Sequence, residues 1–131
     1  MFEVEIDWFV PDHQQVRRAG LDVEGVAETV RDATAADAAC LLISNIDARQ
    51  QGDLIVWLAG ERAHLRLDLH REWVANDSTS REANDELVSF RDNDGSEFVE
   101  RREKTISRAR ALEAFWYWVH TGVMDPGLIW T

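Results

Sequence analysis

The first residues of the chain alternate between apolar and acidic side chains. Over residues 2–9, one face carries Phe2, Val4, Ile6 and Trp8, and the other carries Glu3, Glu5 and Asp7. A period of two is typical of a β-strand with one buried face. We therefore predict a strand over 2–9 whose outer face is acidic and which ends before Pro11-Asp12.

Two later stretches change to helical spacing. Residues 22–33 place four apolar side chains on one face and predict a short amphipathic helix capped by Asp22. A second helix is predicted from its cap at Ser107 to about His120, with Gly122 as its stop and Pro126 beyond it. The predicted buried stripe of this second helix consists of Leu112, Phe115, Trp116 and Val119.

The segments between the helices have the character of strands and hairpins. Residues 38–44 and 53–59 are apolar on both faces, which predicts buried central strands. Residues 62–70 alternate, and their predicted outward side chains are Arg62, His64, Arg66, Asp68 and His70. Trp73 and Val74 either begin a further strand or mark a bend.

Shorter strands are predicted over 86–90 and 97–101, and a final one over 127–131. Asp94-Gly95 predicts a type I′ hairpin between the first two. Residues 76–85 have turn composition and predict a flexible loop.

Hairpin-length connections dominate this order of elements, so the predicted fold class is α+β. We expect a single, largely antiparallel sheet of about six to seven strands with two helices packed on it. The C-terminal helix should be followed by a short final strand. The length of 131 residues suits one domain, spanning 1–131.

Composition narrows the class of protein. The single cysteine and the absence of a signal-like N-terminus favour a cytoplasmic location, and no window offers the roughly 20 apolar residues of a membrane span. The net charge of −11 disfavours direct binding to nucleic acid or to an anionic membrane, because both would be repelled.

Most of the negative charge falls in two segments. Residues 82–100 hold seven acids and one arginine, and residues 1–12 hold four acids and no base. The acids of the longer segment are Glu82, Asp85, Glu86, Asp92, Asp94, Glu97 and Glu100. They are either solvated hairpin tips or, if the two segments lie together, a docking face for a basic protein.

The sequence contains no catalytic or phosphate-binding motif, and it implies no cofactor. Cys40 lies in an apolar run, which favours a buried structural thiol over a nucleophile. Asp68, His70 and Glu72 would project from one strand face, either as ordinary outward polar residues or as part of a metal-dependent enzyme site.

The last 27 residues, TISRARALEAFWYWVHTGVMDPGLIWT, resemble the closing signature of a bacterial immunity-protein family, the first-numbered or Imm-one family of polymorphic toxin systems. The matching positions are Ala111, Leu112, Phe115, Thr121, Gly122, Pro126, Leu128 and Trp130. Two details depart from the family pattern. Met124-Asp125 delay the proline by one position, and no acidic residue follows the last tryptophan.

The resemblance implies a non-enzymatic antidote that binds a cognate secreted toxin in the cytoplasm. Known partners of the family include nucleic-acid-targeting toxins such as deaminases. Such a toxin presents a basic groove, which an acidic inhibitor can approach quickly and occlude. The alternative is an acidic adaptor or subunit of an unrelated bacterial complex, whose acids serve only solubility.

The predicted partner-binding residues follow from the charge pattern. The first choice is the hairpin region, and the second is the outer face of the first strand. Trp118 is either a structural residue or an aromatic anchor, because it lies beside the predicted buried stripe. The full set is Glu82, Asp85, Glu86, Asp92, Asp94, Glu97, Glu3, Glu5, Asp7 and Trp118.

Overall fold

A computed structural model describes residues 1–76 and 86–131 of the chain. The predicted loop over 76–85 therefore lies outside the described residues, apart from Asn76, and so do Glu82 and Asp85. The strands are β1 (Phe2–Trp8), β2 (Gln14–Leu21), β3 (Cys40–Asn45), β4 (Asp53–Ala59), β5 (Arg62–Leu69), β6 (Arg71–Asn76), β7 (Leu87–Arg91), β8 (Glu97–Arg101), β9 (Ile106–Ser107) and β10 (Ile129–Trp130). The helices are α1 (Val23–Ala35) and α2 (Arg108–Thr121), with short 3-10 turns at Arg49–Gln51 and Arg102–Lys104.

Eight of the strands form one antiparallel sheet with the order β10-β6-β5-β4-β3-β1-β2, and β9 pairs with β5. Both helices pack on the same face of this sheet, where their side chains join one hydrophobic core. The predicted α+β class is confirmed. The sheet is larger than expected, and β7 and β8 are not part of it, because they pair only with each other among the described strands.

The central strands β3 and β4 are buried on both faces, as predicted. Leu41 and Val56 are fully buried beneath the helices. On the opposite face, Cys40 and Trp57 are also buried, because Phe90 of the β7–β8 hairpin packs against them. The hairpin is therefore a third layer, which the sheet requires because its central strands have no polar face.

Both helices begin and end where the sequence predicts. Asp22 accepts a hydrogen bond from the backbone N–H of Gly25 at 2.7 Å, and Ser107 accepts one from Arg110 at 3.1 Å. Gly122 ends α2 in the left-handed region at φ 74°. The buried side of α2 is rotated from the predicted stripe. Phe115 and Val119 are buried as predicted, whereas Leu112 and Trp116 are only partly buried. Trp118, outside the predicted stripe, is only 2% exposed.

Strand β2 and the short β9 were not predicted. β2 has the sequence QQVRRAGL and is mostly exposed, so it lacks an apolar face that would indicate a strand. It forms because its backbone pairs along the whole edge of β1. The pairing is interrupted between Phe2 and Val4 by a β-bulge at Ala19 and Gly20.

Two turns differ from simple expectation. β5 and β6 form a hairpin with His70 at its tip, at φ 62°, so Trp73 and Val74 belong to a further strand. The predicted type I′ turn at Asp94-Gly95 is wrong, since that turn needs positive φ at both residues and only Gly95 has it. Instead, Gly95 donates to the carbonyl of Asp92 and closes a three-residue loop.

The C-terminal segment is fastened to α2 by one carboxylate. Asp125 accepts a hydrogen bond from Arg110 of α2 at 2.7 Å and another from the backbone of Gly127. Its carbonyl accepts from the indole of Trp130 at 3.0 Å. These contacts set the direction of β10, which pairs with β6 and confirms the predicted final strand.

Within the described ranges, neither helix combines the length and the apolar sequence required to cross a lipid bilayer.

Gly122→Ala tests the stop of α2, with Gly60→Ala as its matched control. Both glycines have positive φ, so each alanine costs about 1 kcal/mol of conformational strain. A Cβ at Gly60 meets open space, whereas one at Gly122 collides with the side-chain amide of Gln51. The end of the Gln51 side chain can move, but it then gives up the hydrogen bond that it accepts from Asn45. We therefore expect Gly122→Ala to lower the free energy of unfolding, measured in urea, by slightly more than the control. Equal losses would show that Gln51 moves aside without cost.

Candidate functional site

The acids of β1 lie on the predicted face, but that face is not open to solvent. Glu5 is 7% exposed and Asp7 only 1%, so the expectation of an acidic, solvated outer face is wrong for both. Only Glu3 is partly accessible. The cover comes from side chains of β2 and of the loop before it.

Each of these buried carboxylates has partners close by. Glu5 accepts hydrogen bonds from Gln15 at 2.7 Å and from Arg17 at 2.8 Å. Asp7 lies 2.9 Å from Nε2 of His13 and accepts from Gln15 at 3.2 Å. Burial, opposed in part by His13, raises the pKa of Asp7. Glu5 and Asp7 therefore hold β2 in place and are not available as docking residues.

The second predicted region, in the β7–β8 hairpin, is more exposed. Asp94, at the tip, accepts hydrogen bonds from the hydroxyl and backbone of Ser96, which lower its pKa. Glu97 pairs with Arg91 at 2.7 Å, and Glu86 lies 3.7 Å from Arg102. These three carboxylates remain accessible to a partner.

The hairpin covers part of the outer face of the sheet through aromatic contacts. Phe98 meets Trp57 of β4 edge-on at 5.4 Å between ring centroids. Asp92 accepts from the indole nitrogen of Trp57 at 3.3 Å. His64, predicted to point outward, does so but is only 4% exposed because the hairpin lies over it. Burial lowers the pKa of His64.

The two acidic segments share one face of the sheet without being paired strands. Asp7 lies opposite Cys40, and Cys40 lies opposite Trp57, whose indole binds Asp92. Asp7 and Asp92 both act on the thiol of Cys40, whose pKa is raised far above its ordinary value, mainly by burial. The two acidic segments therefore meet on this face of the sheet, but Asp7 is buried there, so this contact does not by itself form an exposed acidic surface.

Three further acids lie on the same face in a row that the sequence analysis did not place there. Asp53 of β4 is opposite Asp68 of β5, which is opposite Glu72 of β6. A hairpin over residues 53–70 that turns at Gly60 places Asp53 opposite Asp68. The predicted hairpin therefore already implied this pairing. We call the following set the acidic face: Glu3, Asp53, Asp68, Glu72, Glu86, Asp92, Asp94, Glu97 and Glu100.

Arginines from neighbouring positions reduce the charge of this face. Arg66 binds Asp68 at 2.8 Å and lies 3.5 Å from Glu72, and its guanidinium sits 5.0 Å from the centre of the Trp57 ring. His70, the third residue of the alternative metal site, lies in the exposed turn. Among the described residues, no three histidine, cysteine or acidic side chains come together in a way that could hold a metal.

Trp118 is not at the surface. It is 2% exposed and packs edge-on against Phe2 at 6.3 Å between ring centroids. Its use as an aromatic anchor is therefore wrong, and the structural alternative is correct. On the helical wheel, Trp118 lies beside the predicted buried stripe. It is buried nevertheless, because the start of β1 extends the core beneath this side of α2.

No family model matches the chain, and no curated protein matches it. The family is therefore a resemblance that stands on the C-terminal residues alone.

The buried state of Asp7 can be tested by its effect on stability against pH. A carboxyl whose pKa is raised on folding releases its proton at higher pH in the native state than in the unfolded state. The wild type should therefore lose stability, relative to Asp7→Asn, as pH rises from the ordinary carboxyl pKa through the raised one. Urea unfolding across pH 3–7 measures this difference. A difference between the two proteins that stays constant with pH would contradict the burial of an ionisable Asp7. Glu97→Gln, an exposed carboxylate on β8, is the control.

Proposed function

We propose that this protein is a cytoplasmic immunity protein that binds and neutralises a cognate secreted toxin. The toxin would be a basic, nucleic-acid-targeting protein such as a deaminase or a nuclease. The acidic face would cover its active site, and the immunity protein would catalyse no reaction. The observation that carries the proposal is the gathering, on one side of the sheet, of acids that are far apart in sequence.

The layout of this side of the molecule supports a protein partner. The face combines a hydrogen-bonded sheet with a hairpin that lies on top of it. A partner would therefore contact carboxylates on the sheet and others on the protruding hairpin. Exposed acids such as Asp94 and Glu97 would form the rim. Electrostatic complementarity of this kind speeds association and selects among partners, and it contributes less to final affinity.

The C-terminal signature supports the proposal in a different way. Ala111 and Phe115 are fully buried, and Trp130 packs against the same core. The residues that carry the resemblance are thus structural. They would mark a shared scaffold, while a different surface would vary with the toxin.

One observation favours the alternative, an acidic adaptor or subunit of another bacterial complex. Several acids of the face are bound by arginines of the same chain, at Arg17, Arg66 and Arg91. Such pairs weaken the field that would guide a basic partner. In this alternative, the remaining charge serves solubility alone.

Co-expression with the product of the adjacent gene tests the function. We expect rescue of growth when that product is toxic, and a stable complex of the two purified proteins. The proposal would be contradicted if the product of the adjacent gene is not toxic, growth is not rescued and no complex forms.

The role of the acidic face needs a variant with a matched control. Asp53→Asn/Glu72→Gln/Glu97→Gln removes three acids from the face, and Glu24→Gln/Glu28→Gln/Asp32→Asn removes three exposed acids from α1 on the other side. Both have the same net charge. We expect the association rate with the toxin at low salt to fall roughly tenfold for the first and little for the second.

The wild-type association rate should also fall as sodium chloride is raised from about 50 to 300 mM, because salt screens exposed charges. Stopped-flow mixing measures both effects. Equal rate losses in the two variants would show that only total charge matters, which contradicts docking through the acidic face.

A further inference from the structure

A small polar cavity lies where the β7–β8 hairpin meets the sheet. Its volume is about 190 Å³. Trp57, His64 and Phe98 form its inner part, and Arg66, Asp92 and Glu100 form its walls. Sites for small molecules are typically several hundred Å³, on the order of 300 or more. The cavity is therefore of a size to admit the end of one side chain.

His64 gives this cavity a hydrogen-bond acceptor. Its Nδ1 lies 3.3 Å from the carbonyl oxygen of Lys104. A carbonyl can only accept, so Nδ1 carries the proton, and burial keeps the ring neutral by lowering its pKa. Nε2 is then an acceptor, and it has no hydrogen-bond partner among the described residues. The side chain itself is more than nine-tenths buried.

The carboxylates of the cavity also have oxygen atoms that no described residue engages and that reach solvent. Glu100 is two residues from Phe98 on β8, so both side chains face the sheet. It is half-buried, and it forms no ion pair with a described residue within 4.0 Å. Asp92 uses one carboxylate oxygen for Trp57 and for the backbone of Asn93, which leaves the other oxygen open.

Arg66 does not supply the missing cation. Its side chain lines the cavity, but its guanidinium binds Asp68 at 2.8 Å and lies 3.5 Å from Glu72. The cavity therefore presents three acceptors, at His64, Asp92 and Glu100. Its donors are already engaged: Arg66 with Asp68, the indole of Trp57 with Asp92, and the hydroxyl of Ser96 with Asp94. A group that binds here must replace the water at these acceptors with hydrogen bonds of its own.

We propose that this cavity receives a single arginine side chain from the partner protein. A guanidinium has five N–H donors and no acceptor, so it can satisfy several acceptors at once and reach a carboxylate in a bidentate manner. An ammonium group has three donors around one point and fits the spread of acceptors less well. The inference rests on the proposed function, because it names the group by which a basic toxin would be anchored to the acidic face.

The cavity can be tested without the toxin, by titrating the labelled protein with Nα-acetyl-arginine amide and recording amide and indole N–H signals by NMR. We expect saturable shifts at the indole of Trp57 and around Phe98 and Glu100, with weaker effects from the lysine analogue. The citrulline analogue, which has the same shape without the charge, should produce none of them.

Glu100→Gln should weaken the binding of the arginine amide about tenfold, as expected for loss of one charged hydrogen bond. Glu24→Gln, at an exposed position of α1 on the other side of the sheet, should leave the binding unchanged. Asp92→Asn, a second substitution in the cavity, should also weaken it. The spectra report at once whether each variant is folded.

Shifts that are absent, that spread over the whole acidic face, or that persist in Glu100→Gln would overturn the cavity as an arginine site. These outcomes are independent of the toxin experiments. A protein that neutralises its toxin but ignores the arginine amide, with Glu100→Gln still fully protective, keeps the proposed function and loses this site. A protein that binds the amide at the cavity but has no toxin partner keeps the site and loses the function.

Discussion

The structure depends on covering both faces of its central strands. Trp57 shows the requirement most directly, because a large indole on the face away from the helices is only 3% exposed. Burying an aromatic ring of this size stabilises the fold by about 2 kcal/mol, whereas leaving it in water would forfeit that gain. The β7–β8 hairpin supplies the cover, with Phe90 and Phe98 above Trp57 and His64. Side chains of β2 cover Glu5 and Asp7 on the same face, and the part that stays open carries the polar row from Glu3 to Glu72.

The electrostatic character of the face follows from the same arrangement. Seating the hairpin brings Asp92 and Glu100 down to the sheet and leaves Asp94 and Glu97 at the surface. The pairing of β2 with β1 brings Arg17 beside Glu3 and Glu5. The field is therefore weaker than a count of acids along the chain implies.

Periodicity was sufficient wherever one element buried one face against the main core. It located β1, β4, β5 and the caps of both helices, since each of these depends on residues close in sequence. It did not find β2, whose stability comes from backbone pairing with β1 and whose side chains carry no pattern. Because β2 was not predicted, Glu5 and Asp7 were expected to be exposed to solvent, whereas side chains of β2 cover them.

The errors at His64 and Trp118 have a similar origin in contacts between distant segments. His64 does point away from the helices, and only a hairpin some thirty residues further along the chain buries it. The position of Glu100 between the hairpin and the sheet also depends on how β8 packs on the sheet. The sequence therefore identified Glu100 as one of the acids of this segment but could not predict that it lines a cavity.

Strand β2 has a consequence for the behaviour of the protein at high concentration. Among the described strands it pairs only with β1, so its outer backbone groups form an open edge eight residues long. Such an edge invites pairing between molecules and, through it, aggregation. Arg17 and Arg18 stand on this edge, and the bulge at Ala19 and Gly20 breaks its regularity. In an otherwise acidic protein, two adjacent arginines on each of two approaching edges would repel. Arg17, which pairs with Glu3 and Glu5 of β1, therefore acts together with Arg18 to keep the sheet from extending into a neighbour.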